Sequence, residues 1–227
     1  MGFIEIYNNP RLLIAVLTNT QARMNTIIIT LFLNLWAKKF YDNKEAFSKA
    51  QMISGIASTV GLISSVLFGF IFDKARNSTL LFITNGACLL GYLSLTWLNI
   101  NNSLCTVSFV LIGFGFYGLT TVGFVILNKN VGHQARGSVM GVNSFCGAIG
   151  IVILTKLGGY LFNKASYLAP FYMVGTLSLI SILLLLITPI REKINKDFNP
   201  HDVYAYDSKP TSNESESINK NVRTEEV

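Results

Sequence analysis

Six apolar stretches, each close to the length of a membrane-spanning helix, constrain this chain more than any other feature. A helix needs about 20 residues to cross the roughly 30 Å hydrocarbon core of a bilayer. The stretches lie at residues 12–37, 52–72, 80–98, 104–127, 139–162 and 169–187. Uninterrupted apolar runs of this length are typical of transmembrane helices. The sequence therefore predicts an all-α membrane protein with six transmembrane helices.

The amino-acid composition also indicates that this chain is embedded in a lipid bilayer. Apolar residues make up 51% of it and charged residues 13%, whereas a soluble domain carries about a quarter charged residues. The net charge of +6 is attributed to basic loop residues beside an anionic leaflet, because no nucleic-acid signature of interleaved aromatic and basic residues is present. The first stretch is interrupted by Thr-Asn-Thr-Gln at 18–21, so we expect no cleavable signal peptide.

Three regions follow from this pattern. Residues 1–11 are predicted to be a cytoplasmic segment, 12–190 the six-span bundle, and 191–227 a disordered cytoplasmic tail rich in Ser, Asn and Glu. With the amino terminus in the cytoplasm, eight Lys and Arg residues near the spans lie inside and five outside. The positive-inside rule thus favours both termini in the cytoplasm.

The stretches differ in polarity. The third and sixth have the least polar character, and the last part of the sixth is Leu and Ile apart from Ser181. The first, second, fourth and fifth carry polar residues, glycines or both. We expect these four helices to line a cavity and the other two to support them from the lipid side.

Arg23 is the sharpest candidate for a binding residue, because it lies near the middle of the first stretch. A central Arg costs roughly 2.5 to 3.5 kcal/mol on insertion scales, so it usually faces a wet cavity or a partner. None of the twelve acidic residues lies inside a stretch, and an anionic solute or an acid on another chain would supply that partner. Asn19, Gln21 and Asn25 extend the polar surface around it. The alternative is a structural strut, with Arg23 bonded to backbone carbonyls.

Tyr117 and Asn143 are secondary candidates for solute binding, from the fourth and fifth stretches. Either side chain is able to hydrogen-bond a polar solute inside the bundle. The competing interpretation is packing, since Tyr117 lies between Gly115 and Gly118. Glycines of the fifth stretch at helical spacing, such as Gly137 and Gly141, are interpreted as helix-packing positions.

A short motif joins the second and third stretches, where Gly69 precedes Asp73 by one helical turn and Lys74 follows. On these residues the chain resembles the major facilitator superfamily over roughly residues 11–191, and specifically one six-helix half of it. That family carries Gly-x-x-x-Asp-Arg-x-Gly-Arg-Arg in this loop. Gly69, Asp73 and Lys74 match, but the later Gly and the paired bases do not, being Arg76, Asn77 and Ser78 here. Such a degenerate copy is more like the carboxyl-terminal half.

The resemblance implies that the helices have different roles and that the first, second, fourth and fifth line a central path. It also implies a cytoplasmic gate. In the closed state Asp73 would accept hydrogen bonds from the start of the fifth helix and pair with Arg136, because helix amino termini favour negative charge. The alternative is that Asp73 and Lys74 only anchor a span end at the membrane interface.

Together these features predict transport of a small polar or anionic solute by alternating access, as one half of a secondary transporter. A second half or a second copy of the chain would complete it. No Asp, Glu or His lies in a stretch, so facilitated diffusion or exchange is favoured over proton coupling. We expect no metal site, because the three cysteines lack paired spacing, and we predict no catalytic residue and no cofactor. The alternative function is a non-transporting membrane scaffold or chaperone that retains the bundle.

Overall fold

A computed structural model describes residues 2–72, 76–98, 100, 102–132 and 135–187, and its regular structure there is entirely helical. This confirms the all-α architecture. The helices are α1 (Gly2–Asn8), α2 (Pro10–Ile27), α3 (Leu33–Ala37), α4 (Asn43–Phe72), α5 (Asn77–Ser94), α6 (Ser103–Asn130), α7 (Arg136–Ile153), α8 (Gly159–Lys164) and α9 (Ala169–Leu186). A π-helical segment, Ile28–Phe32, joins α2 to α3, and another, Leu154–Gly158, joins α7 to α8.

Within the described residues, five continuous helices are long and apolar enough to cross a membrane. They are the first span (Arg11–Ala37), the second (Asn43–Ile71), the fourth (Ser103–Asn130), the fifth (Arg136–Lys164) and the sixth (Ala169–Leu186). Helix α5 (Asn77–Ser94) occupies the third predicted stretch and is not one of these five. It begins and ends earlier than the predicted 80–98, and α4 begins well before the predicted residue 52.

Local sequence explains where several helices begin. The side chain of Asn9 accepts a hydrogen bond from the backbone N–H of Arg11 at 3.1 Å, just ahead of α2. Asn102 caps α6 in the same way, accepting from the N–H of Leu104 at 3.1 Å. Asn is a favoured N-cap because its carbonyl satisfies an otherwise unpaired N–H of the first turn.

Helix α6 is the centre of the bundle. Helices α4, α5 and α2 pack against it, α2 also packs against α7, and α5 packs against α9. Two glycines of α6 allow the closest approaches, because a Cβ at Gly113 would lie 2.5 Å from the carbonyl oxygen of Ala57, and one at Gly115 would lie 2.5 Å from that of Thr84. Small residues at such contacts let helix backbones approach closely in membranes.

Aromatic rings close one end of the bundle where the first, fourth and sixth spans meet. Trp36 is fully buried, and its ring centroid lies 6.1 Å from that of Phe109 and 5.5 Å from that of Phe171. Phe109 and Phe171 pack edge to face at 6.0 Å. These tilted and edge-on arrangements are the ones that aromatic pairs prefer. The contacts fix the first span against the two others and so hold its polar residues in place.

Candidate functional site

A cavity of about 250 Å³ lies between the first and fourth spans. It brings together three of the predicted binding residues, Asn19, Arg23 and Tyr117. Its lining consists of Asn19, Ala22, Arg23, Thr26, Phe116, Tyr117, Thr120 and Phe124. A larger depression of about 460 Å³ at residues 38–45, around the start of α4, is lined mainly by exposed side chains and is open surface. The interhelical cavity is the better candidate, because it is partly enclosed and holds the intramembrane Arg.

Arg23 projects from the first span towards the fifth. Its Nη2 donates to the hydroxyl of Ser144 at 3.4 Å, a long hydrogen bond, and this is its one hydrogen-bond partner in the described part of the chain. Gly147 makes room for the side chain, because a Cβ there would lie 2.7 Å from Nε of Arg23. A guanidinium carries five N–H donors, so most of those of Arg23 remain available.

Asn19 lies beside Arg23 and is 2% exposed. Neither its amide nitrogen nor its amide oxygen has a hydrogen-bond partner among the described residues. Its oxygen faces Gly123 of the fourth span, where an added Cβ would lie 2.5 Å away. Leaving a buried amide unpaired costs roughly 1 to 3 kcal/mol, so the Asn19 amide favours a polar group from a bound solute or water.

The opposite wall of the cavity is aromatic. Phe116 and Tyr117 of α6 lie with their ring centroids 4.4 Å apart, and Phe124 lines the same space two turns along the helix. The ring of Tyr117 lies directly over Gly61 of the second span. The hydroxyl of Thr120 donates to the carbonyl oxygen of Phe116 at 3.0 Å. That hydroxyl is satisfied within its own helix, which leaves the aromatic surface of this wall largely apolar.

Gln21 and Asn25 lie on a different side of the first span from this cavity. Nε2 of Gln21 donates to Oδ1 of Asn85 at 3.0 Å and to the hydroxyl of Ser178 at 2.8 Å, while Oε1 accepts from the hydroxyl of Ser181 at 3.0 Å. We call Gln21, Asn85, Ser178 and Ser181 the polar clamp. It joins the first span to α5 and α9.

Asn25 continues this second polar side one turn further along. Its Nδ2 donates to the carbonyl oxygen of Gln21 at 3.1 Å, and its Oδ1 accepts from the hydroxyl of Tyr92 on α5. Gln21 and Asn25 were predicted to bind solute, and that assignment stays a prediction. In the structure the amide nitrogen and oxygen of Gln21 and the amide oxygen of Asn25 bond to α5 and α9, while the amide nitrogen of Asn25 bonds within the first span.

Asn143 of α7 is 1% exposed, and both of its amide atoms lack a partner among the described residues. It does not line the cavity. Its neighbour Ser144 contacts Arg23 instead, a role that the sequence did not single out. The glycines of this helix differ in their packing. Gly150 lies close to Thr20 and Met24, whereas a side chain at Gly137 or Gly141 would enter open space.

The predicted gate is described only in part. Gly69 is exposed on the second span, and nothing lies within 4 Å of a Cβ added there. Nη2 of Arg136 donates to the backbone oxygen of Asn128 at 3.3 Å, and its Nε is buried without a partner among the described residues. Asp73 and Lys74 lie outside the described residues, so the pairing of Asp73 with Arg136 stays a prediction.

The chain has recognisable relatives. The family model for the Major Facilitator Superfamily matches residues 2–155 and, in a second match, 101–213. The chain is 25% identical over 177 residues to magnetosome protein MamH of Paramagnetospirillum magneticum, covering 75% of this chain and 41% of that protein. It is 24% identical over 177 residues to magnetosome protein MamZ of the same organism, covering 75% of this chain and 28% of MamZ. It thus spans less than half the length of these relatives.

Proposed function

Because the chain belongs to the major facilitator superfamily, we propose that it transports a small polar or anionic solute by alternating access, as one half of a secondary transporter. It is a multi-pass membrane protein of transporter type. The family consists generally of non-enzymatic transporters, so no catalytic role is assigned. Its membrane orientation, with both termini in the cytoplasm, is part of the proposal.

The observation that carries the proposal is the position of Arg23. An intramembrane Arg requires water, a partner or a solute, and among the described residues Arg23 has no carboxylate within reach. The amide of Asn19 beside it is also unpaired. Two residues with unused hydrogen-bonding capacity therefore line one cavity, which supports solute binding there. Gln21, Asn25 and Asn143 do not line this cavity, and we assign Gln21 and Asn25 first to helix positioning.

A second half completes the proposed transporter. Secondary transporters of this kind bind solute near the midplane between two repeats that rock against each other. The cavity described here lies within one six-helix unit, and the chain covers 41% or less of its relatives. A further segment, a separate polypeptide or a second copy would supply the facing half. Gly69, Asp73, Lys74 and Arg136 form the proposed cytoplasmic gate.

A test of alternating access needs no knowledge of the solute. Thr120→Cys places a thiol on the cavity wall, in a Cys146→Ser background because Cys146 is the one native cysteine that is not buried. A membrane-impermeant thiol reagent added to one side at a time is expected to label this cysteine from both sides. Asn163→Cys, at the exposed end of α8, is the control and should label from one side.

The alternative function, a scaffold or chaperone that retains the bundle, predicts something different. A fixed bundle would leave Thr120→Cys accessible from one side or from neither. Arg23→Ala gives a second discrimination once a solute is known. Loss of flux at normal abundance would reject the scaffold, whereas unchanged flux would remove Arg23 from the proposed site.

A further inference from the structure

We propose that the cavity between the first and fourth spans binds a small monocarboxylate with an apolar body, held by Arg23 and Asn19. This inference rests on the proposed transport function and names the solute class for the same site. It follows from the charge, the unpaired donors and the wall of the cavity.

The charge of the cavity points to a single negative group. Arg23 is the one charged residue among the side chains that this chain contributes to the lining, so this half of the site neutralises a single anionic charge. Lys156 of the fifth span is exposed and lies outside the lining. Within this half of the site, a doubly charged phosphate group would leave one negative charge uncompensated inside the membrane, where an unpaired charge is costly. A carboxylate matches the single cation.

The unpaired donors match a carboxylate in shape. A guanidinium presents a planar fork of N–H groups that suits the two oxygens of a carboxylate. Arg23 uses that fork only for the long bond to Ser144. The buried amide of Asn19 offers two further N–H donors and one acceptor. These two side chains line one cavity, so a carboxylate bound by Arg23 would also find Asn19.

The rest of the lining favours an apolar body. Phe116, Tyr117 and Phe124 form most of the wall opposite Arg23, and the Thr120 hydroxyl is bonded within its helix. Apart from the hydroxyl of Tyr117, these rings offer no hydrogen-bonding group, so a polyhydroxylated solute would leave most of its hydroxyl groups unpaired, at a cost for each group. The volume of about 250 Å³ is below the roughly 300 to 1,000 Å³ of sites for drug-sized ligands. The apolar body that this part of the cavity accepts is therefore small, such as one ring or a short branched chain.

Benzoate is the probe for this class, with benzamide as its neutral counterpart and inorganic phosphate as an anion without an apolar body. The full chain is purified together with any chain that pairs with it. Each probe is added, and the midpoint of thermal unfolding is measured. Benzoate should raise the midpoint, and the two other compounds should not. In Arg23→Gln the concentration of benzoate needed to produce the same shift should rise about tenfold or more, since a charge-assisted bond is lost.

Two variants separate binding from folding. Lys156→Gln removes a positive charge that lies in the same helical bundle but does not line the cavity. This variant should respond to benzoate as the unaltered protein does. Arg23→Lys keeps the charge but not the fork, so it should bind benzoate more weakly than the unaltered protein even if Arg23→Gln does not fold. Equal responses to benzoate and benzamide would overturn the charge argument, and equal responses to benzoate and phosphate would overturn the apolar body.

The benzoate shift and the labelling of Thr120→Cys test the solute class and the transport proposal independently. If benzoate fails to shift the midpoint while Thr120→Cys is labelled from both sides, the solute class is wrong and alternating access stands. If benzoate binds through Arg23 while labelling occurs from one side only, the anion site stands and transport is rejected.

Discussion

At the scale of single residues, Arg23 and Gly147 form one unit. The Arg23 stem lies against Gly147 on the fifth span, and its guanidinium reaches Ser144 one turn earlier. A long side chain needs such a surface if its charged end is to be held in one direction. The absence of a side chain at residue 147 therefore sets where the positive charge of the cavity lies.

Gly147→Ala is expected to weaken benzoate binding about threefold to tenfold, because the added methyl group displaces Arg23 from the fifth span. A tenfold loss corresponds to about 1.4 kcal/mol. The chain should still fold, since the atoms that must move belong to one long and flexible side chain. Gly141→Ala is the matched control: it lies on the same helix, and an added Cβ there enters open space. An equal loss in both variants would show that helix α7, rather than Arg23, had been disturbed.

At the scale of secondary structure elements, the polar clamp decides how the first span is held. Gln21 makes three side-chain hydrogen bonds to α5 and α9, and Asn25 adds one to Tyr92. With no hydrophobic driving force between helices in lipid, packing and bonds of this kind provide the specificity. The clamp fixes the rotation of the first span and thereby turns Asn19 and Arg23 towards the cavity.

Gln21→Leu should destabilise the bundle by about 2 kcal/mol, since three interhelical hydrogen bonds are lost and each averages roughly 0.6 kcal/mol in membranes. Unfolding by sodium dodecyl sulfate in mixed micelles measures this change. Thr59→Val is the control, because that exposed hydroxyl bonds only to the carbonyl oxygen of Gly55 in its own helix. It should leave stability nearly unchanged.

The double variant Gln21→Leu/Asn85→Leu tests whether the clamp acts as a unit. Its destabilisation should be clearly smaller than the sum of the two single losses, because both remove the same bond between Gln21 and Asn85. Simple additivity would show that the two residues act independently of each other.

The clamp also marks the limit of what the sequence predicts. Apolar length identified the helices, because crossing a bilayer demands it. The first span, however, is polar on more than one side, and its sequence does not say which side meets the cavity. That choice depends on Asn85 and Ser178, which are far from Gln21 along the chain and lie in helices expected to have little polar character. The role of Gly147 is equally dependent on distant contacts. The two π-helical segments had no recognised signal either.

At the scale of the whole molecule, the bundle exposes large apolar side chains on two of its spans. On the second span Leu62, Val66 and Phe70 are exposed, and on the fifth Phe145 and Val152 are exposed. Lipid or a second half must cover these surfaces, because apolar area of this extent is not left in water. Pairing of two six-helix halves would enclose the cavity from the remaining side.

Pairing of halves predicts the size of the protein in its own membranes. An antibody against the tail at residues 200–227 should detect a species of about twice 25.1 kDa, because two repeats make the functional unit. If a denaturing gel already shows this mass, the second half belongs to the same polypeptide. If the mass is reached only after cross-linking of intact membranes, and not when detergent denaturation precedes the cross-linker, the halves are separate chains. A single species of 25.1 kDa after efficient cross-linking would contradict pairing. The cavity between the first and fourth spans would then have to be complete within one bundle.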